Sequence, residues 1–115
     1  MVKSLALTLG LTFSLGVMAS TDMSDVLEYA NRTAKDYCSP VNTQCITEFS
    51  NQVIMAFKDG QMDARSRFGG DILSKKYENR LLVTECIPSD EKYKSACESM
   101  VDRLVDSYNR GLNSK

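Results

Sequence analysis

Four cysteines are the residues of this 115-residue chain whose type and spacing most directly suggest chemistry. They lie in two segments of similar design, "CSPVNTQC" from Cys38 to Cys45 and "CIPSDEKYKSAC" from Cys86 to Cys97, and each segment holds one of the two prolines. Cysteine pairs serve as redox centres, as metal ligands or as structural disulfides. Catalytic dithiols favour two intervening residues, and zinc sites favour histidine beside cysteine. Here six and ten residues intervene and the chain has no histidine, which favours disulfides.

The N-terminal segment "MVKSLALTLGLTFSLGVMAS" has the composition of a secretory signal peptide. Lys3 supplies a positive charge, an uncharged apolar stretch follows, and Val17 and Ala19 are the small residues that a signal peptidase requires. The apolar stretch is short for a membrane span of roughly 20 residues. We therefore expect a cleaved signal peptide over residues 1–19, with a retained anchor as the alternative. A single domain over residues 20–115 would then be periplasmic or secreted, without a stable membrane anchor.

Export also favours disulfides, because an even number of cysteines in a small secreted domain is typical of a disulfide framework. The natural pairs are local, Cys38 with Cys45 and Cys86 with Cys97. On one continuous helix, positions seven apart lie about 10 Å apart along the axis, which exceeds the roughly 7 Å Cα limit for a disulfide. Each local bond therefore requires a turn at the proline between its cysteines. The sequence also allows the crossed pairings Cys38–Cys97 with Cys45–Cys86, and Cys38–Cys86 with Cys45–Cys97.

The hydrophobic spacing predicts helices and no strands. Proline, serine and glycine divide the helical pattern into four parts, and each cysteine segment joins two of them. The pattern therefore predicts an all-α domain of four helices, built from two disulfide-stapled helical hairpins. The predicted helices run from Thr21 to Tyr37, from Ser39 to Gly60, from Asp71 to Cys86 and from Ser89 to Leu112.

Several classes of function are disfavoured by what the chain lacks. Fourteen basic and 15 acidic residues give a net charge of -1, whereas nucleic-acid binding wants a basic excess. There is no glycine-rich phosphate loop and no histidine to act as a general base. Carboxylate pairs such as Asp102 and Asp106 fall on the polar side of a predicted helix, which indicates a solvated surface. We therefore predict a protein that is not an enzyme and that uses no cofactor and no metal.

The segment "ARSRFGGD", residues 64–71, is the most irregular part of the chain. It places arginines beside an aromatic residue and a double glycine, and a basic helix follows. Arginine and aromatic residues are enriched at interface hot spots, so we take this region as a candidate partner-binding surface. The alternative is an ordinary helix connector followed by a solvated helix. The candidate residues are Arg65, Arg67, Phe68, Lys75, Lys76 and Arg80.

Export, a stapled scaffold and missing catalytic groups together favour a protein that acts by binding another protein. The first hypothesis is an inhibitor or immunity-type protein that masks a toxin or a cell-wall hydrolase, including phage-type inhibitors of lysozyme or lysis. The alternative is a helical carrier of a small apolar ligand, because aromatic residues and methionine on the helices can line a cavity. The residues considered for that lining are Phe49, Phe57, Tyr93 and Met100.

Overall fold

The computed structural model describes residues 23–114, and within that range the fold is entirely helical. Helix α1 covers residues 23–37, α2 Thr43–Asp63, α3 Gly70–Leu81 and α4 Lys94–Leu112. A π-helical turn, Leu82–Cys86, continues α3, and a 3₁₀ turn, Glu91–Tyr93, precedes α4. The predicted all-α fold with four helices is confirmed. The predicted signal peptide, residues 1–19, lies outside the described residues.

None of the helices within residues 23–114 is long and apolar enough to cross a membrane.

The two cysteine segments form the local disulfides, Cys38–Cys45 and Cys86–Cys97, with Cα atoms 5.9 and 5.5 Å apart. Each bond ties the end of one helix to the beginning of the next, so the prediction of two stapled hairpins is confirmed and the crossed pairings are wrong. The first cysteine of each pair is buried, at 6% exposure for Cys38 and 4% for Cys86. Both bonds therefore lie partly inside the fold.

The helices that follow the cysteine turns begin later than the sequence indicates. In the first segment Ser39 to Asn42 form a turn, and the Asn42 side chain caps α2 by accepting a 3.0 Å hydrogen bond from the Cys45 amide. In the second segment the Ser89 hydroxyl donates to the Cys86 carbonyl at 2.7 Å instead of capping α4. The predicted helix starts at Ser39 and Ser89 are wrong because each proline first completes a turn, and helical geometry resumes only after it.

Helices α2 and α4 run side by side in the same direction. The Ser107 hydroxyl, which is fully buried, donates to the Val53 carbonyl at 2.7 Å. Four residues further along each helix, the backbone of Gly111 lies against that of Phe57. Positions four apart share one helix face, so the same register persists over a full turn of the pair.

Gly60 allows these two helices to touch backbone to backbone. A Cβ atom added at Gly60 would lie 2.0 Å from the Tyr108 carbonyl oxygen, and one added at Gly111 would lie 2.0 Å from the Phe57 carbonyl oxygen. The prediction that Gly60 ends its helix is therefore wrong. The helix continues to Asp63, and the glycine is there because its missing side chain makes room for α4.

Helices α1 and α3 flank α4 on opposite sides. The Tyr29 hydroxyl of α1 donates to Asp106, while the Tyr77 ring of α3 stacks on Tyr108 with centroids 4.1 Å apart. Positions 106 and 108 are about 200° apart around a helix. The core between the helices is formed by buried side chains that all four of them supply, namely Ala30, Ala34, Cys38, Phe49, Val53, Ala56, Tyr77, Leu104 and Tyr108.

Candidate partner-binding surface

The connector between α2 and α3, residues 64–69, holds its shape through its own backbone. The Arg65 amide donates to the Met62 carbonyl at 3.3 Å and the Ser66 amide to the Asp63 carbonyl at 2.9 Å. The Phe68 amide then donates to the Ser66 hydroxyl at 3.1 Å. Because these bonds are local, the connector's side chains are left facing solvent, and every residue from 65 to 72 is exposed.

All six residues proposed from the sequence are exposed, and they lie on two successive segments of the chain. Three belong to the connector, where the Phe68 side chain is 58% exposed, and three belong to the first three turns of α3. The Arg80 guanidinium carbon lies 5.1 Å from the centroid of the Tyr77 ring, which holds that cation at the surface. The exposed set is Arg65, Arg67, Phe68, Lys75, Lys76 and Arg80.

Sequence reasoning missed the apolar part of this surface. Ile72, near the start of α3, is 55% exposed, and Val83 and Ile87 are 56% and 64% exposed. Helix α3 is anchored by Tyr77, which belongs to the core cluster, and by Leu73, which packs against that cluster. The spacing from Ile72 to Val83 is eleven residues, which is three helical turns and places both on one side. That spacing was the signal that could have identified them.

The charges of this region have no ion-pair partners among residues 23–114. The ion pairs found there join Arg103 to Asp36 at 3.3 Å and Arg110 to Asp106 at 3.4 Å, and both lie along the α1–α4 contact. Within residues 23–114 the cations of the connector and α3 are therefore free of ion pairs, although Arg80 also lies over the Tyr77 ring.

Two buried and stacked tyrosines, Tyr77 of α3 and Tyr108 of α4, join α3 to the core. The Tyr108 hydroxyl donates to Asp63 at 2.5 Å, and Tyr77 stacks on the Tyr108 ring. Burial, with Asp59 nearby, raises the pKa of Tyr77 to about 12. Burial and the hydrogen bond to Asp63 also raise the pKa of Tyr108. Both phenols keep their protons at neutral pH, so they act as packing groups and not as bases.

Of the two carboxylates considered for catalysis, Asp106 is engaged in helix packing. Asp106 accepts the hydrogen bond from Tyr29 and pairs with Arg110. Asp102 is exposed on the same side of α4. Within residues 23–114 no group of histidine, cysteine, aspartate or glutamate side chains has the arrangement of a metal site.

The residues proposed to line an apolar ligand cavity do not share a chamber. Phe49 and Phe57 are buried in the packed core at 4% and 9% exposure, whereas Tyr93 is 55% exposed at the start of α4. Met100 packs against the core cluster from its edge. The surface depressions near these helices are open grooves, such as the one that Val26, Tyr29 and Phe57 line with the end of α4.

The sequence as a whole matches one protein family. The sequence model of the valyl-tRNA ligase modifier family matches residues 2–114. The valyl-tRNA ligase modifier of Enterobacteria phage T4 is 48% identical over 116 residues, and the alignment covers 100% of both chains. The chain belongs to the valyl-tRNA ligase modifier family. No solved structure matches it.

Membership of the valyl-tRNA ligase modifier family overturns the functional hypotheses made from the sequence. An inhibitor or immunity protein for a toxin, a cell-wall hydrolase or lysis is wrong, and so is a carrier of apolar ligands, because the family is named for acting on a translation enzyme. A protein partner agrees with this family, but the toxin or hydrolase proposed as that partner does not. The family is described as a modifier of an enzyme and not as an enzyme.

The predicted periplasmic or secreted location is also wrong, since valyl-tRNA ligase is an enzyme of translation. The prediction rested on an apolar N-terminal segment and an even cysteine count, and both are signals of composition only. The family match includes residues 2–19, nearly all of the predicted signal peptide. A short apolar segment packs inside proteins as well as being exported, and its composition alone does not separate the two.

Proposed function

We propose that this chain binds a valyl-tRNA ligase and changes how that enzyme works, acting as a non-catalytic protein partner. The observation that carries the proposal is the 48% identity, along the whole of both chains, to the phage T4 protein named as a valyl-tRNA ligase modifier. Identity spread over the full length supports the same mode of action and not only the same scaffold.

Modification by association is favoured over covalent modification of the ligase. Within residues 23–114 the groups with shifted pKa values are the tyrosines Tyr29, Tyr77 and Tyr108, and each shift keeps the phenol protonated. A partner that binds one state of an enzyme more tightly than another changes its activity without any chemistry of its own.

The proposed contact surface is the connector with α3. Its arginines and its half-exposed phenylalanine are the residue types that dominate interface energies, and its cations lack partners within the described chain. The residues proposed for contact are Arg65, Arg67, Phe68, Lys75, Lys76 and Arg80.

The proposed place of action is inside the cell, where valyl-tRNA ligase charges tRNA. Reducing conditions there keep most cysteines as thiols. The helices have further contacts that support the fold in that state. Tyr29 binds Asp106, the Arg103–Asp36 pair joins α1 to α4, and the rings of Tyr37 and Phe49 lie 4.7 Å apart.

The direct test measures binding of the purified chain to purified valyl-tRNA ligase by calorimetry and gel filtration, with and without tRNA. Isoleucyl-tRNA ligase, a related enzyme of similar size, serves as the control. We expect a complex with the valyl enzyme alone and a changed rate of aminoacylation in that complex. The mass of the ligase polypeptide should stay unchanged after denaturation. Absence of a complex under both conditions would contradict the proposal.

A further inference from the structure

The side of α3 that faces away from α4 carries a continuous stripe of exposed residues. Ile72, Lys76, Asn79 and Val83 follow one another at steps of four, three and four residues, which is the spacing of a single helix face. Ile72 is 55% exposed and Val83 is 56% exposed. We call these four residues the outer stripe of α3.

Further exposed apolar side chains extend the outer stripe at both ends. Phe68 precedes it at 58% exposure and Ile87 follows it at 64%. Isolated exposed apolar residues are ordinary on a protein surface, but a row of them beside charged groups marks an interaction site. Phe68, Ile72, Val83 and Ile87 lie on the connector, on α3 and on the segment that follows α3, and together they offer a row of apolar side chains to a partner.

A hydrogen bond and a disulfide fix the C-terminal end of the outer stripe. The Ile87 amide donates to the Leu82 carbonyl at 2.9 Å, which closes the π-helical turn. The disulfide from Cys86 to Cys97 then ties this turn to α4. Such turns occur frequently at functional sites. Val83 and Ile87 are thus held in position before binding, which lowers the entropy that a complex must lose.

We infer that the outer stripe of α3 docks as a helix into a groove of the valyl-tRNA ligase protein, one with two apolar pockets and carboxylates between them. The inference rests on the proposed function and adds the binding mode. The eleven residues from Ile72 to Val83 correspond to about 16 Å along a helix, which sets the separation of the pockets.

Charge complementarity requires the carboxylates. Lys75, Lys76 and Arg80 lie between the two apolar ends, and no acid within residues 23–114 forms an ion pair with them. Covering an unpaired cation costs free energy unless the partner supplies an opposite charge. The partner groove must therefore be acidic in its middle and apolar at its ends.

The same composition favours a protein groove over bound tRNA. Asp71 and Glu78 lie within α3 among its cations, and the whole chain has a net charge of -1. Phosphate binding favours an unbroken basic excess, and RNA is recognised by arginine and aromatic stacking on bases. Ile72 and Val83 are neither basic nor aromatic. Apolar residues at helical spacing are instead typical of a helix that binds in a groove of a protein.

The test compares Ile72→Asp and Val83→Asp with Met55→Asp, a control on α2 whose side chain is 63% exposed and lies outside the stripe. Affinity for valyl-tRNA ligase is measured without tRNA, and thermal unfolding checks that each variant folds. We expect each stripe variant to weaken binding at least tenfold and Met55→Asp to leave it unchanged. Lys76→Glu should weaken binding, Lys76→Arg should retain it, and added salt should weaken the unchanged chain.

The possible results separate the binding mode from the proposed function. If the folded stripe variants bind as the unchanged chain does, the docking mode is wrong and the proposed function stands. If binding requires tRNA and depends on Lys75 and Lys76 but not on Ile72 and Val83, RNA occupies the surface and the docking mode is again wrong. If the unchanged chain does not bind the ligase at all, the proposed function fails together with this inference.

Discussion

Gly60 of α2 and Gly111 of α4 each face a carbonyl oxygen that lies three residues before the other glycine. The Cβ positions at both sites would be 2.0 Å from those oxygens, on Tyr108 and Phe57. Such an approach is closed to every residue with a side chain. The two glycines therefore set the distance between the central helices, and the flanking helices take their places from that pair.

Replacing either glycine by alanine should destabilise the fold. A methyl group at Gly60 or Gly111 cannot avoid backbone atoms of the facing helix, so the helices must move apart. We expect a loss of about 2–4 kcal/mol in the free energy of unfolding, measured by urea titration. Gly70→Ala is the matched control, because nothing lies within 4 Å of a Cβ there. It should be neutral or stabilising by up to about 1 kcal/mol. Equal losses at all three positions would refute the close helix contact.

Reducing the disulfides should lower stability without unfolding the chain. Each bond closes a loop of about ten residues, worth about 2.5–3 kcal/mol in the chain-entropy model. We expect a lower urea midpoint in dithiothreitol and in the double variants Cys38→Ser/Cys45→Ser and Cys86→Ser/Cys97→Ser. Helical circular dichroism should persist at neutral pH, because tyrosine contacts also join α4 to α1 and to α3. Identical midpoints with and without reductant would contradict this account.

Stability should fall at alkaline pH. Burial favours the neutral phenol of Tyr77 and raises its pKa from 10.0 to about 12. Above pH 10 Tyr77 loses its proton in the unfolded chain but retains it in the folded chain. The free energy of unfolding therefore decreases. Stability from this tyrosine is complete below pH 10 and is lost as the pH rises toward 12. Urea titrations at pH 8, 10 and 11.5 test the trend, and Tyr77→Phe should flatten it. A variant with the same slope as the unchanged chain would count against the assignment.

Arg67→Ala should weaken binding to valyl-tRNA ligase while leaving stability unchanged. Arg67 is exposed on the connector and has no ion pair within the described chain, so its removal costs the fold nothing. We expect a loss of about tenfold in affinity by calorimetry, as for a moderate interface hot spot. Arg32→Ala, an exposed arginine on α1, is the matched control and should bind normally. Equal effects of the two variants would indicate a general charge effect instead of a contact.

The scaffold followed from the sequence more fully than the function did. Helical spacing, two prolines and four cysteines sufficed for the hairpins and their pairing, because these depend on neighbours in the chain. The purpose of Gly60 was missed because it depends on α4, which lies some fifty residues away. The exposure of Ile72 was missed for a similar reason, since periodicity does not reveal which side of a helix another helix covers.

The candidate surface was identified from the sequence, whereas the partner was not. The arginines and Phe68 were identified from local irregularity, and all are exposed as expected. The partner was not identified, because binding by a helix surface leaves no catalytic motif in the chain. Only similarity along the full length named the ligase.

The two glycine contacts are reciprocal, since each glycine lies against the backbone of the helix that carries the other. The helices that flank this central pair differ in charge. Helix α1 has three acidic and two basic residues, whereas α3 has two acidic and three basic ones. The frame therefore presents a net negative flank on α1 and a net positive flank on α3. A partner that senses charge as well as contour can distinguish the two flanks.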